Sequence, residues 1–138
     1  MQQWKAEPYV KTSCSLGEGV CYIPERNEIR FLDINSSKLY LVNLDNGPTS
    51  LREIDTKQPV GVTVDIEGLD SSKTILVGAK DGVTKFDLAT GEHEYVAKYW
   101  NHLDASQAKD RARRMRSNDG AVDSSGRFWV EALSLIHI

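Results

Sequence analysis

The chemistry of this sequence is concentrated in one stretch, Arg116-Ser117-Asn118-Asp119-Gly120. Ala121-Val122, the turn signal Asp123-Ser124-Ser125-Gly126 and the aromatic run Arg127-Phe128-Trp129 follow it. A guanidinium, a carboxamide and a carboxylate crowded just ahead of a strand are costly to bury without partners. They suit a site that holds a small polar ligand. The same residue types also cap backbone groups in a loop before a hairpin, and taken alone they favour that plainer role modestly. A second stretch, Leu16-Gly17-Glu18-Gly19, sets a carboxylate between two glycines. Glycines permit unusual backbone angles and close approach, so Glu18 can be aimed into a narrow channel. Hard cations take oxygen ligands, six or more for Ca²⁺, and one carboxylate is only part of such a set. Without further support, Glu18 reads as a turn carboxylate in water.

The elements that must hold these groups are short strands between turn signals. Residues 28–34 form a strand-like run carrying Ile29, Phe31 and Ile34, followed by the turn Asn35-Ser36-Ser37-Lys38. Residues 39–44 are nearly all apolar, as expected of a strand covered on both faces. Asp45-Asn46-Gly47-Pro48 is a strong turn, and residues 51–54 fit a fourth, outer strand. The pattern then restarts. Val60, Val62, Val64 and Ile66 alternate with period two, which predicts a half-buried strand. Residues 74–79, 83–88 and 92–97 continue the repeat, with Asp81-Gly82 and Thr90-Gly91 as turns. A third start falls at Gly120-Ala121-Val122, with residues 127–130 as its second strand.

Gly19-Val20, Gly61-Val62 and Gly120-Ala121 thus occupy similar places, 42 and then 59 residues apart. Four short strands per repeat of roughly 40–50 residues is the pattern of a β-propeller blade. A sandwich or open meander uses the same strands, but the recurring period favours the propeller. The longer second interval holds an insertion, residues 101–115. There Ala105, Ala108, Ala112 and Met115 recur at helical steps beside the basic residues Lys109, Arg111, Arg113 and Arg114. A solvated loop or short helix is the main expectation for it, and a lid over the propeller mouth the second.

Composition narrows the classes. The chain has 138 residues, 40% hydrophobic and 27% charged, with a net charge of −3. That is the size of one domain, and the charge gives no support to nucleic-acid binding. No apolar run approaches a membrane span, and the start lacks the apolar core of a secretory signal. Cys14 and Cys21 have no zinc-ligand spacing and read as buried free thiols in a reducing cytosol. His93, His102 and His137 are isolated and read as surface or packing residues. No Gly-x-Ser-x-Gly elbow is present, so a serine hydrolase mechanism has no support.

The sequence resembles the family of senescence marker protein 30, gluconolactonase and luciferin-regenerating enzyme, the regucalcin-like proteins. The resemblance is carried by Ser15-Leu16-Gly17-Glu18-Gly19, by residues 29–33 ahead of Lys38-Leu39-Tyr40, and by Gly61-Val62-Thr63. It is carried further by Arg116-Ser117-Asn118-Asp119-Gly120 with Asp123 and Gly126-Arg127-Phe128-Trp129. It implies an all-β fold, a six-bladed β-propeller with one divalent cation (Ca²⁺, Zn²⁺ or Mg²⁺) in its central channel. Residues 1–138 would be the N-terminal part of that single domain, about two and a half blades. By the resemblance Glu18 is a metal ligand, and Arg116 and Asn118 contact the substrate. The remaining metal ligands, an Asn and an Asp, would lie in later blades. A further substrate-contacting Glu would fall near residue 136, where this chain has Ile136. Val20 stands where the family usually has Pro.

The implied function is metal-dependent hydrolysis of a sugar lactone by a cytoplasmic, gluconolactonase-like enzyme, with no catalytic residue assigned within this chain. A cation in such a channel can polarise a lactone carbonyl and lower the pKa of bound water. The alternative is a calcium-binding regulatory or scaffold propeller without turnover, and the plainest possibility is a propeller used for protein contacts. No nucleic-acid or membrane partner is expected. The run from Ala132 to Ile138 stops mid-blade, so the chain reads as part of a longer protein whose last residues here need not be native. By itself it is expected to lack activity and to associate through exposed strand edges.

Overall fold

The strands ending at Asp33, Asn43, Asp87 and, one residue short, at Asp123 all finish in the same way. A side-chain oxygen takes up backbone N–H groups two to four residues on, which closes the turn. Asp33 accepts from Ser36, Asn43 from Asn46, Asp87 from Ala89 and Thr90, and Asp123 from Ser125 and Arg127. With extended runs of four to eight residues between such turns, the described residues form ten strands. The computed structural model describes residues 3–135.

The strands are β1 (Gly17–Ile23), β2 (Glu28–Asp33), β3 (Lys38–Asn43), β4 (Arg52–Asp55), β5 (Val60–Val64), β6 (Thr74–Ala79), β7 (Gly82–Asp87), β8 (His93–Lys98), β9 (Met115–Val122) and β10 (Phe128–Ser134). Each pairs antiparallel with its neighbour in sequence, giving sheets β1-β2-β3-β4, β5-β6-β7-β8 and β9-β10. The first strands of the sheets lie side by side, β1 against β5 and β5 against β9. Two four-strand meanders and half of a third, arranged about neighbouring first strands, form a partial β-propeller. One helix, α1 (Ala105–Arg114), occupies the insertion and packs against β9. Its N-cap is Asp104, whose carboxylate accepts from the N–H groups of Ser106 and Gln107. Arg113 and Arg114 pair with Asp110, as expected of a solvated helix. No helix among the described residues is long and apolar enough to cross a membrane.

One apolar core joins the first two blades. Leu32, Leu39 and Leu41 of blade 1 pack with Val60, Ile75, Val77, Ala79, Phe86 and Leu88 of blade 2. Strand β3 is covered on both faces, as its apolar run predicts. Strand β5 corrects its expectation. It stops at Val64, and it is buried on both faces over its first four residues, not one. The residues that spoil its apolar pattern are buried for other reasons. Thr63 accepts a hydrogen bond at 2.9 Å from Nε of the fully buried Arg30, and Gly61 is pressed against β9. Arg30 also donates from Nη1 to Asp65 at 2.8 Å, so a guanidinium from blade 1 ties into blade 2.

His93 is a packing residue with a specific task. Its Nε2 lies 2.8 Å from the carbonyl oxygen of Thr56, and its Nδ1 lies 2.8 Å from the hydroxyl of buried Thr84. A carbonyl only accepts, so Nε2 carries the proton. The ring thus links the outer strand of blade 2 to the end of blade 1. Cys14 and Cys21 are free and half-buried.

Candidate functional site on the inner strands

Glu18 stands at the start of β1, and the chain entering that strand is held by Asp33. This carboxylate, 1% exposed, accepts from the N–H groups of Ser15 at 2.8 Å and Leu16 at 3.0 Å, while the N–H of Ile34 donates to the carbonyl of Leu16. Burial pushes the Asp33 carboxyl up, but the hydrogen bonds from Ser36, Ser15 and Leu16 outweigh it and hold its pKa below 3.8. Next to Glu18, Gly19 has φ +62°, a left-handed backbone that glycine adopts without penalty. A bulge follows, because Glu18 pairs with Leu32 but Cys21 pairs with Arg30. The carboxylate is exposed beside an open pocket of about 320 Å³ lined by Gly17, Glu18, Gly19, Val20 and Phe31.

Arg116 and Asn118 lie on β9. The polar stretch was expected just ahead of a strand. The structure places it inside one, since β9 begins at Met115, directly after α1, and pairs with β10 from Ser134 back to Phe128. Arg, Ser, Asn and Asp are poor strand formers, so the polar half of β9 carries no strand signal of its own. Arg116 is 4% exposed, far from the surface salt bridge that would be its ordinary role. Its Nη1 donates to the carbonyl of Ser117 at 2.8 Å and to Oδ1 of Asn118 at 3.1 Å. It has no ion-pair partner among the described residues. Burial lowers its pKa, and the nearby Glu18 carboxylate pulls it back up. Glu18 and Arg116, on two different blades, are thus close enough for one charge to act on the other.

The arrangement offers a ligand three groups. Arg116 is a buried donor, Glu18 an exposed acceptor, and Asn118 a carboxamide whose oxygen is already taken by Arg116. Because a guanidinium can only donate, Asn118 presents Oδ1 to it and keeps Nδ2 for something else. Asp119 does not join them. It is exposed, and its Oδ1 accepts from the N–H of Gly120.

As a cation site the donor set fits in kind but not in number. Glu18 is a hard oxygen ligand, but it is a single carboxylate where Ca²⁺ takes six or more ligands. No three His, Cys, Asp or Glu side chains gather into a metal-holding group among the described residues. Ile136, near which the resemblance places a further substrate-contacting Glu, and His137 lie outside the described residues.

Two residues of the site region were given no role from the sequence, Asp33 behind Glu18 and Ser117 between Arg116 and Asn118. Ser117 is fully buried and turned toward blade 2. Gly61 was visible as a repeat position, but not as the surface on which β9 rests.

The model of the SMP-30/Gluconolactonase/LRE-like region matches residues 16–135. Among relatives, the uncharacterized protein YBR053C of Saccharomyces cerevisiae is 27% identical over 135 residues, covering 80% of this chain and 37% of its own length. The cell growth-regulated gene 1 protein of Candida albicans is 26% identical over 129 residues, covering 86% of this chain and 36% of its own. The chain thus spans little more than a third of the relatives it matches. Among solved structures, a regucalcin of Agrobacterium tumefaciens, described as a calcium-binding protein, superposes with a TM-score of 0.70 at 24% identity. A luciferin-regenerating enzyme superposes with a TM-score of 0.71 at 16% identity. Each covers 89% of this chain, which covers 37% and 38% of theirs. These likenesses show the fold.

Proposed function

The chain belongs to the SMP-30/gluconolactonase/LRE-like family, and from that premise we propose that the protein carrying it hydrolyses a sugar lactone with a divalent cation. In this reading Glu18 supplies one oxygen ligand to the cation, and Arg116 and Asn118 hold the lactone. The observation that carries it is the buried Arg116 guanidinium, which has no ion-pair partner among the described residues and lies within electrostatic reach of Glu18. A buried charge left without compensation is costly. A ligand rich in acceptor oxygens would relieve it, and a sugar lactone offers its ring hydroxyls and carbonyl. Asn118 would add its free Nδ2 as a second donor. The remaining cation ligands would come from outside this chain. A second reading, a calcium-binding propeller without turnover, is favoured by the description of the A. tumefaciens neighbour, which names calcium and no reaction.

Three substitutions test the division of roles. Glu18→Gln keeps the shape and removes the charge, so Ca²⁺ affinity by calorimetry should fall at least about tenfold, about 1.4 kcal/mol. Arg116→Ala and Asn118→Ala should each lower lactone hydrolysis and leave Ca²⁺ affinity nearly intact. Unchanged Ca²⁺ affinity in Glu18→Gln would remove Glu18 from the site. Loss of metal binding in a folded Arg116 or Asn118 variant would overturn the assignment of those residues to the lactone. Calcium binding without turnover of any sugar lactone would select the second reading.

A further inference from the structure

We propose that Gly61 and Ser117 are positioning residues that together form a seat for Asn118 and Arg116. This deepens the reading of the site given above and rests on it. In the ladder between β9 and β10, Asp119 pairs with Glu131 and Ser117 with Ala132. Asn118 is therefore the extra residue of a bulge, without a partner of its own in β10. What fixes this unpaired residue comes from blade 2. A Cβ on Gly61 would stand 2.7 Å from the backbone N of Asn118, 2.7 Å from the carbonyl carbon of Ser117 and 2.8 Å from that of Asn118. Only a residue without a side chain lets the two backbones pass this closely. Gly61 is itself the extra residue of a bulge, since Val60 pairs with Ala79 and Val62 with Gly78. Two bulges on adjacent inner strands rest on one another.

Ser117 fastens them. Its hydroxyl oxygen accepts from the N–H of Gly61 at 3.0 Å and donates its proton to the carbonyl of Gly78 at 2.5 Å. One hydroxyl has one proton and two lone pairs, so it can serve both strands of the bulged ladder at once. Ser117 is fully buried, so water is no substitute. Along a strand, successive side chains alternate in direction. With Ser117 turned into blade 2, Arg116 points to the opposite face, and Asn118, freed from strict alternation by the bulge, accepts its hydrogen bond there. Fixing the hydroxyl between them sets the direction of both, and with it the direction of the free Nδ2 of Asn118. Bulges commonly re-aim side chains in this way. Here both the bulge and its support can be traced to named atoms.

The test uses the ¹⁵N-labelled full-length protein that carries this chain, with glucono-δ-lactone and Ca²⁺ as probes. Gly61→Ala, and as a milder change Ser117→Ala, should displace the side-chain amide resonances of Asn118. They should raise KM for the lactone by between about tenfold and a hundredfold, with Ca²⁺ affinity held within about twofold. Val60→Ala, a buried apolar deletion one residue away on the same strand, controls for destabilisation. It should lower the melting temperature but leave the Asn118 resonances and KM in place. Undisturbed Asn118 resonances in folded Gly61→Ala or Ser117→Ala overturn the seat, as does an equal shift in Val60→Ala. If the unmodified protein neither turns over the lactone nor binds Ca²⁺, the functional reading fails. The resonance shifts then still decide whether the seat exists.

Discussion

The junction between blades 1 and 2 and the junction between blades 2 and 3 are built from different materials. The first is mainly an apolar cluster that draws residues from both sheets, with Leu32, Leu39 and Leu41 facing Val60, Ile75, Val77, Ala79, Phe86 and Leu88, to which Arg30 and His93 add polar ties. At the second, the buried residues contributed by the incoming blade are Arg116 and Ser117, and both are polar. Val62 and Val130 both lie against Gly78 there, but the contact is set by two hydrogen bonds of Ser117 and by backbone lying against Gly61. Apolar burial is non-directional and tolerates changes of shape at constant volume. Hydrogen bonds and glycine contacts fix direction and tolerate little. The candidate site lies where the packing is directional. That is where it must lie if Arg116 and Asn118 are to be aimed rather than merely buried.

The comparison can be broken most forcefully at Phe86. It is fully buried in the apolar junction, so Phe86→Ala should cost about 3–5 kcal/mol. Urea unfolding should show this loss while any ligand binding measured below the transition keeps its affinity. A fall in affinity in the folded variant would mean that the two junctions are not independent. The smallest effect is expected at the solvent end of blade 3. Asp123 accepts from Nε1 of Trp129, from the N–H and Nε of Arg127 and from the N–H of Ser125, and these bonds push its pKa from 3.8 down to about 2. A carboxyl depressed on folding contributes stability that is present above 3.8 and is lost as pH falls toward 2. Because the group faces solvent, the loss should be local. Trp129 fluorescence should change between pH 4 and 2 before the apolar junction unfolds. A Trp129 signal that moves only with global unfolding would show that the turn has no separate acid response.

Much of this architecture was legible in the sequence because strand length, period and turn residues are local. The runs at residues 28–34, 39–44 and 74–79 became β2, β3 and β6 with shifts of a residue, and the helical steps at Ala105, Ala108 and Ala112 became α1. The signals that failed were the ones set by distant chain. Strand β5 reads as half-buried because Gly61 and Thr63 interrupt its apolar pattern. What covers them is Ser117 on β9 and Arg30 on β2, remote in sequence. The polar half of β9 reads as a loop because Arg, Ser, Asn and Asp are poor strand formers, although it pairs with β10 along its length. For the site, Glu18, Arg116 and Asn118 were named from residue type and resemblance. The structure brings the first two within electrostatic reach and bonds the last two together. Ser117 could not be singled out, since a serine between an arginine and an asparagine announces nothing until Gly61 and Gly78 stand beside it.

The same long reach sets an order of assembly. Every sheet pairing among the described residues is between strands adjacent in sequence, and such local contacts form early because little chain entropy is lost in closing them. The bond from Gly61 to Ser117 spans 56 residues, with a whole meander and a helix between. The blades can therefore hold their strand content before their inner edges meet, and the geometry around Arg116 and Asn118 is expected to appear last. On refolding, far-UV circular dichroism should recover before the Asn118 side-chain amide reaches its native resonance. Simultaneous recovery would place the junction in the folding nucleus instead. A chain that looks folded by its strand signal is, on this order of events, not yet a chain with a site.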